Sequence, residues 1–229
     1  MIWAKALPQS RGGVVTLCVT EWEEKYLERF IWLNPVVKQY YDMDRLAAEL
    51  TKKGFKIIEP LEDHLKKVLD SYRASLNETE NCVIDARCPL AAEYVRDKFP
   101  LSGAVIPDIE PILISCAREL LKRYKRAVIT TPCKSLADFG NAKGIDGAEF
   151  LPWNEFCDQY GIESPSQKPE KSPIPPGFFR DIEGNLSISG MEDIHELFSN
   201  AVYNRYRIVE MLACEQGCHN GDGFVCLKR

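Results

Sequence analysis

The chain has 229 residues, 45% hydrophobic and 28% charged, an ordinary balance for a globular protein. A net charge of −5 with no long basic run argues against nucleic acid or an anionic membrane as partner. No stretch reaches the roughly 18 uninterrupted apolar residues of a spanning helix, and Met1-Ile2-Trp3-Ala4-Lys5 lacks the apolar core of a secretion signal, so a cytoplasmic location is expected.

Short apolar runs alternate with amphipathic helices, the pattern of α/β architecture. Residues 14–19 read as a buried strand after Gly12-Gly13. A helix is expected over 44–53 with Gly54 as its C-terminal cap, then a short strand over 55–58. Leu61, Leu65, Val68 and Leu69 supply apolar residues at helical spacing for a helix over 61–75. Residues 82–84 form a strand leading into Cys88, and Pro89 suits the first turn of a helix over 91–99. A brief strand at 104–106 precedes a helix over 111–124, whose basic end (Lys122, Arg123, Lys125, Arg126) favours its dipole. Strand 127–130 delivers Cys133. A helix over 153–160 stops at Gly161. Five prolines make 164–176 a linker or long loop. A helix over 193–203 and an apolar extended run over 207–213, ending at Cys214, complete the series. There is no internal repeat.

Nine cysteines occur, at 18, 82, 88, 116, 133, 157, 214, 218 and 226. Their odd number in a chain of this length argues against a disulfide framework and for metal or redox use. Three segments stand out: Ala86-Arg87-Cys88-Pro89, Thr131-Pro132-Cys133-Lys134, and Leu212-Ala213-Cys214-Glu215-Gln216-Gly217-Cys218. Each lies at the end of a strand-like run, where ligands gather in open α/β sheets. Together they offer four thiolates, the number a cubane iron–sulfur cluster needs. The spacing alone also admits a zinc site of four thiolates, or buried structural cysteines without metal. Zinc sites usually use closer knuckle pairs, and only Cys214 and Cys218 are close in sequence.

The ordered segments resemble the catalytic domain of the iron-only ([FeFe]) hydrogenases. That family's signatures have the form T-S-C-C-P, M-P-C-x-x-K-x-x-E and M-A-C-P-G-G-C-x-x-G-G-G. Residues 46–55, Gly144-Ile145-Asp146 with 150–162, and Tyr206-Arg207-Ile208-Val209-Glu210 resemble its intervening segments, so the likeness spans roughly 40–223. By this resemblance Cys88, Cys133, Cys214 and Cys218 would be cubane ligands, the last also bridging to a di-iron subcluster.

The departures from that pattern lie around the di-iron site. The family's proton-donor cysteine, just before the first ligand, is Arg87, and arginine stays protonated at ordinary pH. The cyanide-binding lysine is Leu136, the relay glutamate is Phe139, the methionine before the third ligand is Leu212, and Pro-Gly between the last ligands is Glu215-Gln216. A charged di-iron site without polar partners would be poorly solvated. The resemblance therefore implies a single domain over 1–229 with two small parallel-sheet α/β lobes. It would be a non-catalytic protein binding one [4Fe–4S] cluster in the cleft, for electron transfer or redox sensing with a partner protein (ferredoxin-like or an oxidoreductase subunit). Two alternatives stay open: an active hydrogenase or reductase with an atypical cluster site, and a structural or interaction module with zinc or no metal.

Other residues have modest expected roles. Lys134 and Arg87 could place positive charge beside ligands. His219 could be an unusual ligand or proton acceptor but is expected at the surface, and His64 and His195 are expected as surface or packing residues. Cys116, on helix 111–124, is expected in the core, with a place in the cavity as alternative. Cys18, Cys82 and Cys157 read as packing, and Cys226 as free, with a fifth-ligand role as alternative. Trp153 and Phe178-Phe179 are expected to pack the lobes together. Gly221-Asp222-Gly223 lacks the strand–turn–helix frame of a nucleotide loop.

Overall fold

The computed structural model describes residues 28–225. The strand expected at 14–19, Cys18 and Cys226 lie outside the described residues. Eight strands are present among them: β1 (Arg29–Trp32), β2 (Phe55–Ile57), β3 (Cys82–Ile84), β4 (Ala104–Val105), β5 (Ala127–Thr131), β6 (Ala148–Pro152), β7 (Asn185–Ser189) and β8 (Ile208–Leu212). They form two four-stranded sheets, ordered β2-β1-β5-β6 and β4-β3-β8-β7. Every pairing is parallel. Parallel sheets are covered on both faces, so their central strands are continuous buried runs. All five residues of β5 and all five of β8 are buried.

The helices are α1 (Pro35–Tyr40), α2 (Met43–Lys52), α3 (His64–Glu78), α4 (Pro89–Lys98), α5 (Ile112–Arg123), α6 (Lys134–Ala142), α7 (Trp153–Tyr160) and α8 (Met191–Ser199). One face of the first sheet packs Ile31, Leu46, Leu50, Phe55, Trp153 and Phe156 into a core. The other face meets α5 and α6 through Ile114, Ala117, Leu120, Ile129, Ala137 and Phe150. In the second lobe, Ala91, Val95, Ile194, Phe198 and Val209 fill one side. Val68, Tyr72, Phe179 and Ile208 fill the other.

The lobes are interleaved along the chain. β1 and β2 belong to the first sheet, β3 and β4 to the second, β5 and β6 to the first again, and β7 and β8 to the second. The tail then returns to the first lobe, where Phe224 is fully buried in the core with Trp153 and Phe156.

Several expectations shift. The helix expected over 61–75 runs His64–Glu78, because Asp63 caps it by accepting the Lys66 N–H at 2.9 Å. Leu61 and Leu65 are 79% and 60% exposed, while Val68 and Tyr72 face the core. The helix expected over 193–203 stops at Ser199, and Ala201 in the left-handed region (φ 52°) separates it from a 3-10 turn, Val202–Arg205. Trp153 lies inside the first lobe, stacked on Phe156, rather than between the lobes. Phe179 packs beneath α3 against Tyr72. Gly54 and Gly161 end their helices with positive φ, as expected.

Candidate metal centre

The three cysteine segments converge at the carboxyl ends of the strands. Cys88 follows β3 and is the N-cap of α4. Cys133 follows β5 and is the N-cap of α6. Cys214 lies just beyond β8, and Cys218 opens a 3-10 turn, Cys218–Asn220. All four are free and half-buried. Each thiol lies within electrostatic reach of the other three. Cys133 comes from the first lobe and the others from the second, and their carrier helices α4 and α6 pack together. Among the described residues, no three of these thiols lie within 4.8 Å of one another.

One backbone N–H points at a sulfur. Ala213 donates to Cys88 Sγ at 3.5 Å, and Cys88 and Cys133 each stand at the start of a helix. Two helix N-termini therefore face the site, an arrangement that favours negative charge. Burial nevertheless dominates: it pushes Cys133 up to about 12 and Cys214 up to about 11. Burial raises Cys88 and Cys218 too, and in Cys218 the other three thiols add to it. Without a cation the thiols stay protonated at neutral pH. A metal's charge would be needed to release those protons.

Arg87, beside Cys88, is sealed into a buried network. Its guanidinium pairs with both carboxylate oxygens of Asp85 and reaches Glu210 at 2.7 Å. It stacks over the Phe178 ring, 3.8 Å from the centroid. Burial opposes its charge, but Asp85 and Glu210 outweigh that and raise its pKa above the ordinary value. Asp85 also accepts from Tyr72 Oη at 2.9 Å, and Glu210 from the Phe178 N–H and from Ser187 Oγ. Asp85 is two residues from Arg87, whereas Glu210 is 123 residues away in the chain and left no local signal for this role.

The proline-rich loop straps the last two cysteines. The Cys218 N–H donates to the Ile174 carbonyl at 3.3 Å. A Cβ at Gly217 would lie 2.4 Å from that oxygen, and Gly217 has φ 120°. Lys168 Nζ donates to the Asn220 carbonyl, and Gln39 on α1 donates to the Lys171 carbonyl. Segment 164–176 is thus a bracket joining the cysteine loop to the first lobe.

The remaining expectations divide. Lys134 is exposed and pairs with Asp138 on its own helix at 2.7 Å, so its ammonium is held in solvent. Leu136 and Phe139 pack against the α5 side of the first lobe. Cys82, Cys116 and Cys157 are buried core residues, as expected. His195 is exposed and bonds Tyr94 Oη. His219 is 4% exposed, contrary to the surface position expected, because the strap covers its turn; its Nδ1 has no partner among the described residues. His64 is also buried. It bonds Ser115 Oγ and Glu119 Oε2, each at 2.8 Å. Glu62, His64 and Glu119 bring ligand atoms within 4.8 Å of one another. Their valences are already filled: Glu62 pairs with Lys67, and Glu119 accepts from Arg123 and from the Leu61 and Glu62 N–H groups. This cluster fastens the start of α3 to α5.

No protein-family model matches this chain, and no curated protein matches it.

Proposed function

We propose that this protein holds one [4Fe–4S] cluster on Cys88, Cys133, Cys214 and Cys218, and works as a cytoplasmic electron-transfer or redox-sensing module for a partner protein. The observation that carries this reading is the mutual approach of four thiols from two lobes, two of them at helix starts and one accepting a backbone N–H. A bound cubane would supply one-electron redox chemistry.

The spacing of the donors along the chain favours a cluster over a single zinc: zinc sites usually use closer knuckle pairs, and of these four only Cys214 and Cys218 are close in sequence. Backbone donors to sulfur stabilise an anionic cluster and raise its potential. Hydrogen chemistry finds little support in the side chains beside the site. Arg87 is locked between two carboxylates, and Leu136 and Phe139 are packed against apolar neighbours. The described cysteines are free thiols, which supports a reducing, cytoplasmic compartment. Among the described residues no helix is long and apolar enough to cross a membrane.

The deciding measurement is an anaerobic absorption spectrum with iron, sulfide and zinc quantified on the same sample. The expected result is a broad band near roughly 400 nm with about four irons per chain, lost in Cys133→Ser. A colourless protein with one zinc, or no metal, overturns the reading. More than four irons, with hydrogen evolution from reduced viologen, would replace it with a true hydrogenase.

A further inference from the structure

Helix α6 starts without a cap of its own. Cys133 occupies the N-cap position in extended backbone (φ −152°, ψ 158°), yet its side chain makes no capping hydrogen bond. An N-cap side chain ordinarily accepts from a first-turn N–H. Here the sulfur is instead grouped with the other three thiols.

The cap comes from 88 residues away: Asp222 Oδ1 accepts the Lys134 N–H at 2.9 Å. Backbone contacts on both sides fix that carboxylate. A Cβ on Gly221 would lie 2.3 Å from the Pro132 carbonyl oxygen, and one on Gly223 would lie 2.9 Å from the Cys133 backbone. The Gly223 N–H donates to the Pro132 carbonyl at 3.1 Å, and the Asn154 N–H to the Gly223 carbonyl at 2.9 Å. Asn154 Nδ2 donates to the Asp222 carbonyl. Phe224 then anchors the tail in the first lobe's core.

We propose that Asp222 is a positioning residue: it caps α6 in place of Cys133, leaving that sulfur to the cluster, and fixes a negative charge that holds the cluster's reduction potential down. The proposal rests on the four-thiolate cluster reading. Reduction adds negative charge to an already anionic site, so a fixed carboxylate beside it disfavours the reduced form. The charge bears on both Cys133 and Cys214. The nearest ammonium on α6, Lys134, is already paired with Asp138. Asp222 is exposed, so salt screens its effect.

Two substitutions separate the roles. Asn is an N-cap as good as Asp, so Asp222→Asn keeps the acceptor and removes the charge. Asp222→Ala removes both. The experiment is an anaerobic redox titration of the cluster-loaded full chain, followed by electron paramagnetic resonance, at low and high salt. Thermal melts and iron retention are measured in parallel. Asp222→Asn is expected to melt and hold iron like wild type, with a potential shifted upward at low salt and converging with wild type at high salt. Asp222→Ala is expected to show the same shift, a lower melting temperature and faster iron loss. An Asp222→Asn potential equal to wild type at low salt overturns the charge role. An Asp222→Ala protein with wild-type melting and iron retention overturns the capping role. Iron-free wild-type protein sinks the cluster reading itself, and metal analysis detects that before any titration.

Discussion

Arg87 and Glu210 meet at 2.7 Å although 123 residues separate them in the chain. Their contact ties the end of β3 to β8, the paired strands that deliver Cys88 and Cys214. Asp85 completes the network from within β3's own exit loop. The site's geometry therefore depends on an ion network that the thiols do not themselves provide.

Removing the arginine leaves two buried carboxylates uncompensated. Arg87→Met is expected to cost about 3–5 kcal/mol, the usual penalty for breaking a buried ion pair. Arg87→Lys keeps a charge but loses the forked geometry and the stacking on Phe178, so it should fall between. Urea unfolding of the metal-free proteins measures both. A loss well under 1 kcal/mol in Arg87→Met would mean that this network does not hold the two strand ends.

Gln216 sits in the left-handed region with φ 59°, inside the loop between the last two cysteines. A side chain there costs on the order of 1 kcal/mol, partly offset because glycine loses more entropy on folding. Gln216→Gly is expected to leave stability unchanged or raise it by up to about 1 kcal/mol. Cluster binding should also be retained. A clear destabilisation in a thermal melt would show that the Gln216 side chain contributes a contact that outweighs the strain.

Burial raises the thiols of Cys133 and Cys214 to about 12 and about 11 in the folded chain. In the unfolded chain they ionise near the ordinary cysteine value of about 8.5. Between those values the unfolded state binds fewer protons, so stability falls as pH rises. Metal-free protein should therefore lose stability progressively above about pH 8.5, and Cys→Ser variants should lose less. Equilibrium unfolding from pH 7 to 10 checks the slope; a flat profile would contradict it.

Glu119 behaves in the opposite sense. Burial opposes its ionisation, but the Leu61 N–H, His64 and Arg123 overcome that and hold its carboxyl below the usual range. Its contribution is present above the ordinary glutamate value and is lost as pH falls towards the lower folded value. Glu119→Gln is expected to be less stable than wild type at neutral pH, with the gap narrowing as pH drops through about 4.3 and below. Unfolding curves at pH 7, 5 and 3.5 test this. A gap constant across that range would assign the loss to packing instead.

Periodicity and punctuation made much of the frame legible. The strands before Cys88, Cys133 and Cys214 are short apolar runs, and Gly54, Pro89 and Gly161 mark helix ends through local backbone preferences. Other elements left little local signal. β7, Asn-Leu-Ser-Ile-Ser, has no buried residue. β1 is only Arg-Phe-Ile-Trp. Helix α3 misled because Leu61 and Leu65 carry the right spacing but precede or flank a start set by Asp63, and the core accepts Val68 and Tyr72 instead.

The sequence by itself determined the α/β class and the place of three cysteine segments at strand ends, because burial pattern and turn chemistry act over a few neighbouring residues. Only the tertiary structure decided that the four thiols share one site. The same holds for the enclosure of Arg87 by Asp85 and Glu210, and for the capping of the Cys133 helix by Asp222. The Asp222 cap and the Arg87–Glu210 pair join groups 88 and 123 residues apart. They arise from the interleaving of the two lobes, and hydrogen-bond and charge satisfaction at such separations leaves no periodic trace in the chain.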